Sequence, residues 1–557
     1  MLLNDIKIAY RNLSRNPGYS IINISGLAVG MAVTMLIGLW VYDEISFNHY
    51  HSHYPRIAQV YQHLTQNDEI LTAPGAPYPL ASELRNSFGG DFKYVVSAWW
   101  ESNHILSIED RKTSQNGNFM DPAALEMFSF KMIRGDVNSL NDPASIVLSA
   151  SAAKALFGDE DPIGKNIRID QLLDVKITGV YEDLPANSRF HTLHFVGTWQ
   201  YWMSSNPWMK VDEHNWKSQA NVFVELAAHS TFESVSEKIR NIKFNKIPAE
   251  EATRRNPQLF LHPMDRWHLF TEWKNGVATG GRAQFVWLFG AIGAFVLVLA
   301  CINFMNLSTA QSERRAKEVG IRKSIGSLRS QLVRQFLSES FVVVAFAFIV
   351  TLALVSAALP WFNLLTGKDL DILWQHPMFW VAALLFIAIT SALAGSYPAM
   401  YLSSFQPVKV LKGTFKAGKF ASVPRKVLVT LQFSVSVALI IGTAIVWQQI
   451  QFARDRPIGY TREGLMMIRK TAPEFWNKFD VLRNGLKASG AIVEMAESSS
   501  PATEVWFNNS GYHWKGKDPN LEDDFATMGV THDYGRTMGW QFLKGRDFSR
   551  DFSTDSS

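Results

Sequence analysis

Residues 285–302 read FVWLFGAIGAFVLVLACI, a run of eighteen residues without a single Asp, Glu, Lys, Arg or His. At about 1.5 Å of helical rise per residue, roughly 20 apolar residues cross a hydrocarbon core about 30 Å thick. One such run would equally suit a buried helix of a soluble protein. Four more uncharged runs follow the same pattern, at 24–42, 341–359, 378–395 and 427–447. Five runs in one chain predict a multi-pass α-helical membrane protein.

The overall composition hides this membrane character because long polar segments dilute the apolar runs. Of the 557 residues, 47% are hydrophobic, and the formal net charge is +4. We attribute the positive charge to the loops between the runs and expect no nucleic-acid partner. The one cysteine, Cys301, lies inside an apolar run and excludes an intramolecular disulfide. The long polar segment 43–283 must therefore fold on a hydrophobic core of its own.

The charge of the short loops predicts the orientation of the chain. The loop 310–338, between the second and third runs, is strongly basic, with two acidic residues, Glu313 and Glu318, and the basic residues Arg314, Arg315, Lys317, Arg322, Lys323, Arg329 and Arg334. The loop before the fifth run has only basic charges, at Lys409, Lys412, Lys416, Lys419, Arg425 and Lys426. Basic short loops stay in the cytoplasm. We therefore expect a cytoplasmic N-terminus and an outer location for 43–283.

These rules divide the chain into alternating segments. The predicted cytoplasmic segments are an amphipathic helix at 1–18, a coupling segment at 310–338 and a loop at 403–426. The predicted transmembrane helices are 19–42, 284–309, 339–360, 377–402 and 427–449. The predicted outer segments are a domain at 43–283, a short loop at 361–376 and an incomplete second domain at 450–557.

The outer segment 43–283 mixes strand and helix signals. Residues 92–100, 145–148 and 174–181 are rich in Val, Ile and aromatic residues and are predicted to be strands. Residues 78–88, 149–157 and 231–242 have helical periodicity. The mixture predicts an α+β fold for the extracytoplasmic part.

The chain also contains an internal similarity. FSFKMIRG at 128–135 resembles MGWQFLKG at 538–545, an offset of 410 residues. The first and fifth apolar runs end at similar distances before these two stretches. We therefore expect two related halves, with a sequence that continues past residue 557 in a longer protein.

No motif predicts a cofactor or an enzymatic site. Residues 413–420 have the spacing of a phosphate-binding loop, but Phe420 replaces the required Ser or Thr and no strand precedes it. His49, His51 and His53 alternate, yet no further ligand completes a metal site, and they are interpreted as a solvated linker. The carboxylates Asp159, Glu160, Asp161, Glu182 and Asp183 sit beside Pro and Gly and are interpreted as caps and turns. We expect no catalytic residue, no metal and no cofactor, and any ATPase activity must belong to a partner.

The segment 310–338 carries the candidate functional site. Gly320 and Gly326 bracket a short apolar and basic element, and Ser327 can cap a following helix. An ordinary cytoplasmic loop explains its charge but not its paired glycines and isoleucines. Docking on a partner explains them, with Glu318, Arg322 and Lys323 facing the partner and Ile321 and Ile325 entering an apolar groove. The candidate coupling residues are Glu318, Gly320, Ile321, Arg322, Lys323, Ile325 and Gly326.

These residues also carry a resemblance to a known family. NFMNLSTA at 303–310, followed by RAKEVGIRKSIG at 315–326, resembles the FtsX-like permease family of ABC transporters. GVYEDLPANS at 179–188 and LFGDEDPIGK at 156–165 resemble the MacB-type periplasmic core domain. The stretches RNLSRNPGYS at 11–20 and YPAMYLSSFQP at 397–407 agree with large two-copy members of the family.

The resemblance implies a multi-pass permease subunit of the cytoplasmic (inner) membrane that pairs with a separate ABC ATPase. In such a permease, ATP hydrolysis moves the periplasmic domains and drives export or extraction of a substrate, which is mechanotransmission. The implied assembly is a dimer or a pseudo-dimer of two halves, and it extends to a periplasmic adaptor or an outer-membrane partner. The alternative is a membrane sensor that regulates a partner without transport.

Overall fold

The computed structural model describes residues 17–556, except for 212–213, 218, 311–318, 405–418, 471–474, 519–520 and 522. These residues form two compact units. One unit comprises the chain up to residue 46 together with 282–454, and the other comprises 47–281 and the residues from 455 onwards. The predicted amphipathic helix at 1–18 lies almost wholly outside the described residues.

The helices and strands alternate in the second unit, whereas the first unit is helical. The helices are α1 Pro17–Ile45, α2 Leu80–Phe88, α3 Ala124–Met127, α4 Ala150–Phe157, α5 Trp199–Ser205, α6 Pro207–Val211, α7 Phe232–Ile239, α8 Ala249–Arg255, α9 Arg282–Ala310, α10 Arg329–Thr366, α11 Pro377–Ser403, α12 Lys419–Asp455, α13 Phe479–Ala488 and α14 Tyr534–Met538. The strands are β1 Ile57–Gln66, β2 Glu69–Pro74, β3 Ala76–Pro77, β4 Phe92–Ala98, β5 Ser102–Ile108, β6 Arg111–Met120, β7 Met132–Arg134, β8 Ser145–Ser149, β9 Asn166–Ile169, β10 Leu173–Tyr181, β11 Phe195–Thr198, β12 Gln219–Leu226, β13 Gln258–Pro263, β14 Glu272–Lys274, β15 Val277–Gly280, β16 Phe507–Asn509 and β17 Phe525–Thr527.

Five helices, α1, α9, α10, α11 and α12, are long and apolar enough to cross a membrane. Each contains one of the uncharged runs found in the sequence. Four of them, α1, α9, α10 and α11, share hydrophobic contacts. No residue in the apolar window of α12 is buried. The first unit is therefore a packed group of four helices with a fifth that adds no buried apolar surface.

Small residues bring the packed helices close together. A Cβ atom at Gly30 of α1 would lie 2.5 Å from the Cβ of Ala300 in α9, so only glycine fits there. The Thr34 hydroxyl donates to the carbonyl of Gly293, at 3.1 Å, and the Thr351 hydroxyl donates to that of Ala28, at 3.2 Å. Close approach with hydroxyl-to-carbonyl bonds is the usual way in which helices associate in apolar surroundings.

The region 47–281 contains a sheet with the strand order β11-β8-β10-β9-β5-β6-β4-β12-β1-β13. One end of this sheet, β4-β12-β1-β13, is entirely antiparallel. Helix α2 connects β1 to β4, and α7 connects β12 to β13, which is the split βαβ arrangement of ferredoxin-like folds. The helices cover one face of these strands through a common core. The predicted α+β fold of this region is confirmed.

A second lobe, residues 99–218, is inserted between β4 and β12 of this fold. It contains β5 to β11 and packs α4 over its own core. Helix α4 begins where Ser149 Oγ accepts a hydrogen bond from the backbone N–H of Ala152, at 3.2 Å, and Asp183 accepts another from that of Ser151, at 3.1 Å. The cap that the sequence predicted for Asp183 is thus confirmed.

The histidine segment differs from its prediction. His51 is completely buried and does not belong to a solvated linker. Its Nδ1 lies 2.6 Å from the Phe128 carbonyl oxygen and its Nε2 lies 2.9 Å from Ser188 Oγ. Burial lowers the pKa of His51 to about 4. The alternating pattern gave no sign of this because the two partners lie about 80 and 140 residues further along the chain.

The region 455–556 repeats a hydrogen-bond pattern of the first region. The backbone N–H of Trp99 donates to the Phe119 carbonyl at 2.9 Å, and that of Ser499 donates to the Gly529 carbonyl at 2.8 Å. Four other pairs also recur. Ala98 lies opposite Met120 as Ser498 lies opposite Val530, and the Asp121 N–H donates to the Ser97 carbonyl as the Thr531 N–H donates to that of Glu497. The N–H groups of Phe130 and Ser129 donate to Leu125 and Glu126, as those of Trp540 and Gly539 donate to Gly535 and Arg536. Helix α14 occupies the place of α3. The recurring bonds extend from 97 to 130 and from 497 to 540, a longer stretch than the eight-residue sequence similarity.

Candidate coupling site

The candidate coupling segment is a short helix that ends in a glycine turn. Residues 319–324 are helical, and the backbone N–H groups of Ile325, Gly326 and Ser327 donate to carbonyls of the last helical turn. Gly326 has a φ of +99°, a conformation that L side chains rarely adopt. The next helix, α10, begins after Leu328, whose N–H donates to the side-chain oxygen of Gln331 at 3.1 Å.

The base of this segment is packed against two of the long helices. Val319 is 3% exposed and shares a core with Leu332 and Phe336 of α10 and with Ala399 and Leu402 of α11. Gly320 is also buried. The segment therefore rests on the ends of both helices and can transmit a displacement to them.

The two basic residues of the segment were predicted to face a partner, but both bind groups of the chain itself. Arg322 donates to the side-chain oxygen of Gln335 in α10, and the Gln335 amide donates to the buried carboxylate of Glu339 at 3.2 Å. The Lys323 ammonium donates to the Ser403 carbonyl at 2.6 Å. That carbonyl is at the C-terminus of α11, where a cation interacts favourably with the helix dipole.

The two isoleucines face the opposite way. Ile321 is 51% exposed and Ile325 is 81% exposed. The turn thus exposes two apolar side chains, while Val319, Arg322 and Lys323 hold its other side against α10 and α11. Of the seven predicted coupling residues, six lie in this turn, and Glu318 lies outside the described residues.

A second polar cluster lies where α1 ends, α9 begins and α10 is joined to α11. The Lys368 ammonium is 2.6 Å from a carboxylate oxygen of Glu44 and also binds Asp43. Arg282 Nη1 is 3.6 Å from the same Glu44 oxygen. The Glu44 side chain is completely buried and that of Lys368 is 14% exposed. Removing one member of such a group leaves a buried charge unpaired, which costs about 3–5 kcal/mol.

Both ends of the helix group are therefore fastened. The coupling turn joins α10 and α11 at one end, and the Lys368 cluster joins α1, α9 and the α10–α11 loop at the other. Sequence analysis missed Gln335, Ser403 and Lys368, since their importance depends on contacts between distant segments.

The region 47–281 contains a Ser-His-Asp array that the sequence did not predict. Ser102 Oγ is 2.8 Å from His104 Nε2, and His104 Nδ1 is 2.6 Å from a carboxylate oxygen of Asp170. The other Asp170 oxygen accepts from the backbone N–H of Ile105, at 2.8 Å. The His104 side chain is 7% exposed and is enclosed by aromatic rings. The array ties the β9–β10 turn to β5, which is a structural role.

Metal binding finds no support in the described part of the chain. None of its His, Cys, Asp and Glu side chains gather in a group of three or more that could hold an ion. His53 lies 3.3 Å from Glu225, and His49 stacks on Tyr54. The three histidines of the segment 49–53 thus have different environments.

Comparison with known proteins identifies both parts of the chain. The MacB-like periplasmic core domain matches residues 20–242, and the FtsX-like permease C-terminal domain matches residues 290–407. The macrolide export ATP-binding/permease protein MacB of Marinobacter nauticus is 23% identical over 61% of this chain and 50% of that protein. MacB of Bdellovibrio bacteriovorus is 25% identical over 48% of this chain and 38% of that protein. The chain thus spans half or less of the length of these two relatives.

Two further similarities involve shorter proteins. The uncharacterized ABC transporter permease YknZ of Bacillus subtilis is 23% identical over 74% of this chain and 99% of that protein. A crystal structure of a domain of a putative permease protein from Porphyromonas gingivalis is 20% identical, covers 43% of this chain and 98% of that domain, and has a TM-score of 0.33.

Long apolar helices, an α+β region at 47–281 and the similarity to MacB and YknZ fit a permease of the ABC transporter class. The two matched domains are more specific. The chain carries a MacB-like periplasmic core domain and an FtsX-like permease C-terminal domain.

Proposed function

We propose that this chain is the transmembrane subunit of an ABC transporter that works by mechanotransmission. ATP hydrolysis by a separate ATPase moves the coupling turn, and the helices carry this movement to the periplasmic domain, which drives export or extraction of a substrate. The relatives named above are macrolide exporters or permeases, and the substrate of this chain is left open. The names of the MacB relatives include ATP binding, whereas this sequence has no complete phosphate-binding loop.

The observation that carries the proposal is the exposure of Ile321 and Ile325 on a braced turn. Large apolar side chains without cover at a loop tip are typical of a docking surface. The bracing by Arg322 and Lys323 keeps the turn in one conformation before a partner binds, which lowers the entropic cost of docking. An ordinary loop needs neither feature.

The proposed location is the cytoplasmic membrane, with a cytoplasmic N-terminus. The basic loops at 310–338 and 403–426 support this orientation. The domain boundaries then follow the five apolar helices, so that 43–283 and the residues after about 450 are periplasmic.

We also propose that residues 450–557 belong to a second periplasmic domain related to the first. The recurring hydrogen bonds at offsets of 400 and 410 residues support this relation. Two related halves would form a pseudo-dimer, and a periplasmic adaptor or an outer-membrane partner would bind on the periplasmic side.

The test is to purify the permease with the ATPase encoded beside it and to measure co-elution and permease-dependent ATP turnover. Ile325→Asp places a charge in an apolar contact, and a central interface residue contributes about 2 kcal/mol or more, so we expect association to fall at least thirtyfold. Leu172→Asp is the matched control, because Leu172 is 62% exposed but lies in the outer region.

A third variant separates docking from bracing. Arg322→Glu removes the bond to Gln335 and opposes Glu339, so it should weaken docking by releasing the turn, and hydrogen exchange at 319–326 should increase. Ile325→Asp should leave that exchange unchanged. Full co-elution and full ATP turnover of Ile325→Asp would contradict the proposed role of the turn.

A further inference from the structure

An open groove runs along one face of α10. It has a volume of about 1080 Å³. The lining residues are Arg329, Ser330, Val333, Arg334, Leu337, Ser338, Phe341, Val342, Ala345, Phe346 and Ile349 of α10 and Met400 of α11. The lining residues of α10 form two adjacent rows with a four-residue spacing, one from 329 to 349 and one from 330 to 346, so the groove follows one face of the helix.

The groove changes from basic to apolar along its length. Arg329 and Arg334 lie at one end, and the lining from Phe341 to Ile349 has no charged residue. The acidic side chain of this part of the helix, Glu339, is buried away from the groove beside Gln335. The groove therefore matches a molecule with an anionic head and an apolar tail.

The length of the groove matches one leaflet of a membrane. From Leu337 to Ile349 is about 18 Å at 1.5 Å per residue, a little more than half of a hydrocarbon core about 30 Å thick. Helix α10 continues beyond Ile349 to Thr366, but the groove does not. A partner helix would need a surface along the whole span and would leave Arg334 without an anion.

We propose that this groove binds an anionic phospholipid, with its phosphate between Arg329 and Arg334 and an acyl chain along Leu337, Phe341 and Ile349. The proposal rests on the membrane location proposed above, and the ligand belongs to the leaflet next to the coupling turn. Arg329 Nε is also 3.4 Å from Ser403 Oγ, and Ser403 accepts from Lys323 of the turn. A bound headgroup would thus lie next to the site where the turn is braced.

The test is native mass spectrometry of the full chain, in mild detergent, after incubation with equal amounts of palmitoyl-oleoyl phosphatidylglycerol and phosphatidylcholine. The wild type should retain phosphatidylglycerol preferentially. Arg334→Gln should lower this preference about fivefold, and the pair Arg329→Gln and Arg334→Gln about thirtyfold, since each basic side chain near an anionic headgroup contributes about 1 kcal/mol. Lys426→Gln, an exposed basic residue near the start of α12, is the matched control and should have no effect.

A second variant tests the tail. Ala345→Trp fills the apolar part of the groove and should reduce the retention of both lipids. Equal retention of the two lipids by the wild type, or an unchanged preference in the double variant, would overturn the proposal. A lipid-free dimer that Ala345→Trp converts to monomers would also overturn the proposal, because the groove would then bind a second copy of the chain. If the chain retains phosphatidylglycerol but does not co-elute with its ATPase, the proposed coupling is contradicted and the proposed lipid site is supported.

Discussion

The regions 47–281 and 455–556 share local hydrogen bonds but differ in how far their apolar side chains are covered. Phe130 is 5% exposed in the first region, whereas Trp540, at the equivalent position, is 41% exposed. Ile133 and Leu543 form a second equivalent pair, and their side chains are 52% and 97% exposed. In the first region β7 pairs with β10, which lies about 40 residues further along the chain.

The difference separates two contributions to the fold. Short-range sequence is sufficient for the turn after α3 and for its counterpart after α14, since both form the same backbone bonds. Burial requires strands from elsewhere in the chain, and these strands add most of the stability because it depends on the apolar area removed from water. Equivalent substitutions in the two regions should therefore have unequal effects.

The largest expected difference is at the aromatic pair. Phe130→Ala should destabilise the first region by about 4 kcal/mol, because the ring is buried and packs at 4.9 Å on Tyr181. Trp540→Ala should cost only about 1 kcal/mol, since the exposed indole makes only edge contacts, at 5.2 Å with Tyr534 and at 6.4 Å with Phe542. Hydrogen exchange of the two regions within the full chain measures both values. Equal losses of stability in the two regions would contradict the difference in burial between them.

Acid should affect the first region at a higher pH than the second. The pKa of His51 falls from an ordinary value of 6.5 to about 4 through burial. Because the unfolded chain binds the proton more readily, stability is complete above about pH 6.5 and decreases as the pH falls towards 4, by about 3 kcal/mol. In the second region Lys517 lowers the pKa of Asp523 to about 2, so its contribution decreases only below the ordinary value of 3.8.

Hydrogen exchange, corrected for the intrinsic rate at each pH, measures this difference. Protection of 47–281 should decrease between pH 6.5 and pH 4.5 while that of 455–556 remains constant. His513→Gln, an exposed histidine in the second region, should leave both profiles unchanged. Parallel losses in the two regions would exclude His51 as the cause.

The smallest expected effect is at the turn residue that the two regions share. Ser129 and Gly539 are equivalent, with φ values of +54° and +69°. Gly539→Ser should cost about 1–2 kcal/mol, because a left-handed conformation is unfavourable for L residues and its Cβ would lie 2.6 Å from Thr461 Oγ1. Ser129→Gly removes the same strain but also the hydroxyl that accepts from the Ser52 N–H at 3.1 Å, so its net effect should be within about 0.5 kcal/mol.

Urea unfolding of the two single variants and of the wild type provides these free energies. The comparison predicts an asymmetry between the two substitutions. A stabilisation above about 1 kcal/mol by Ser129→Gly would mean that the bond to Ser52 contributes nothing.

The sequence predicted those features that depend on neighbouring residues. The strands at 92–98, 145–149 and 173–181 follow from β-branched and aromatic residues, and the five apolar helices follow from the absence of charge. The turn at Gly326 likewise follows from glycine itself. Local composition determines each of these features, so no alignment or template is needed to find them.

Features that join distant segments were not predictable in this way. The burial of His51 depends on Phe128 and Ser188, and the brace of Arg322 depends on Gln335. The array of Ser102, His104 and Asp170 forms only because the β9–β10 turn returns to β5. In each case the residue types are common, and their meaning comes from the sheet order and the helix packing.

The insertion of residues 99–218 between β4 and β12 has a consequence for biosynthesis. Strand β4 leaves the ribosome roughly 120 residues before β12, the central strand that it pairs with. At a synthesis rate of about 5–20 residues per second, β1 and β4 remain without that strand for about 6–24 s. The inserted lobe pairs its own strands and can form during this delay. During this time the sheet is incomplete and its apolar strands are accessible to chaperones and proteases. The translation speed across 99–218 determines how long this incomplete sheet persists.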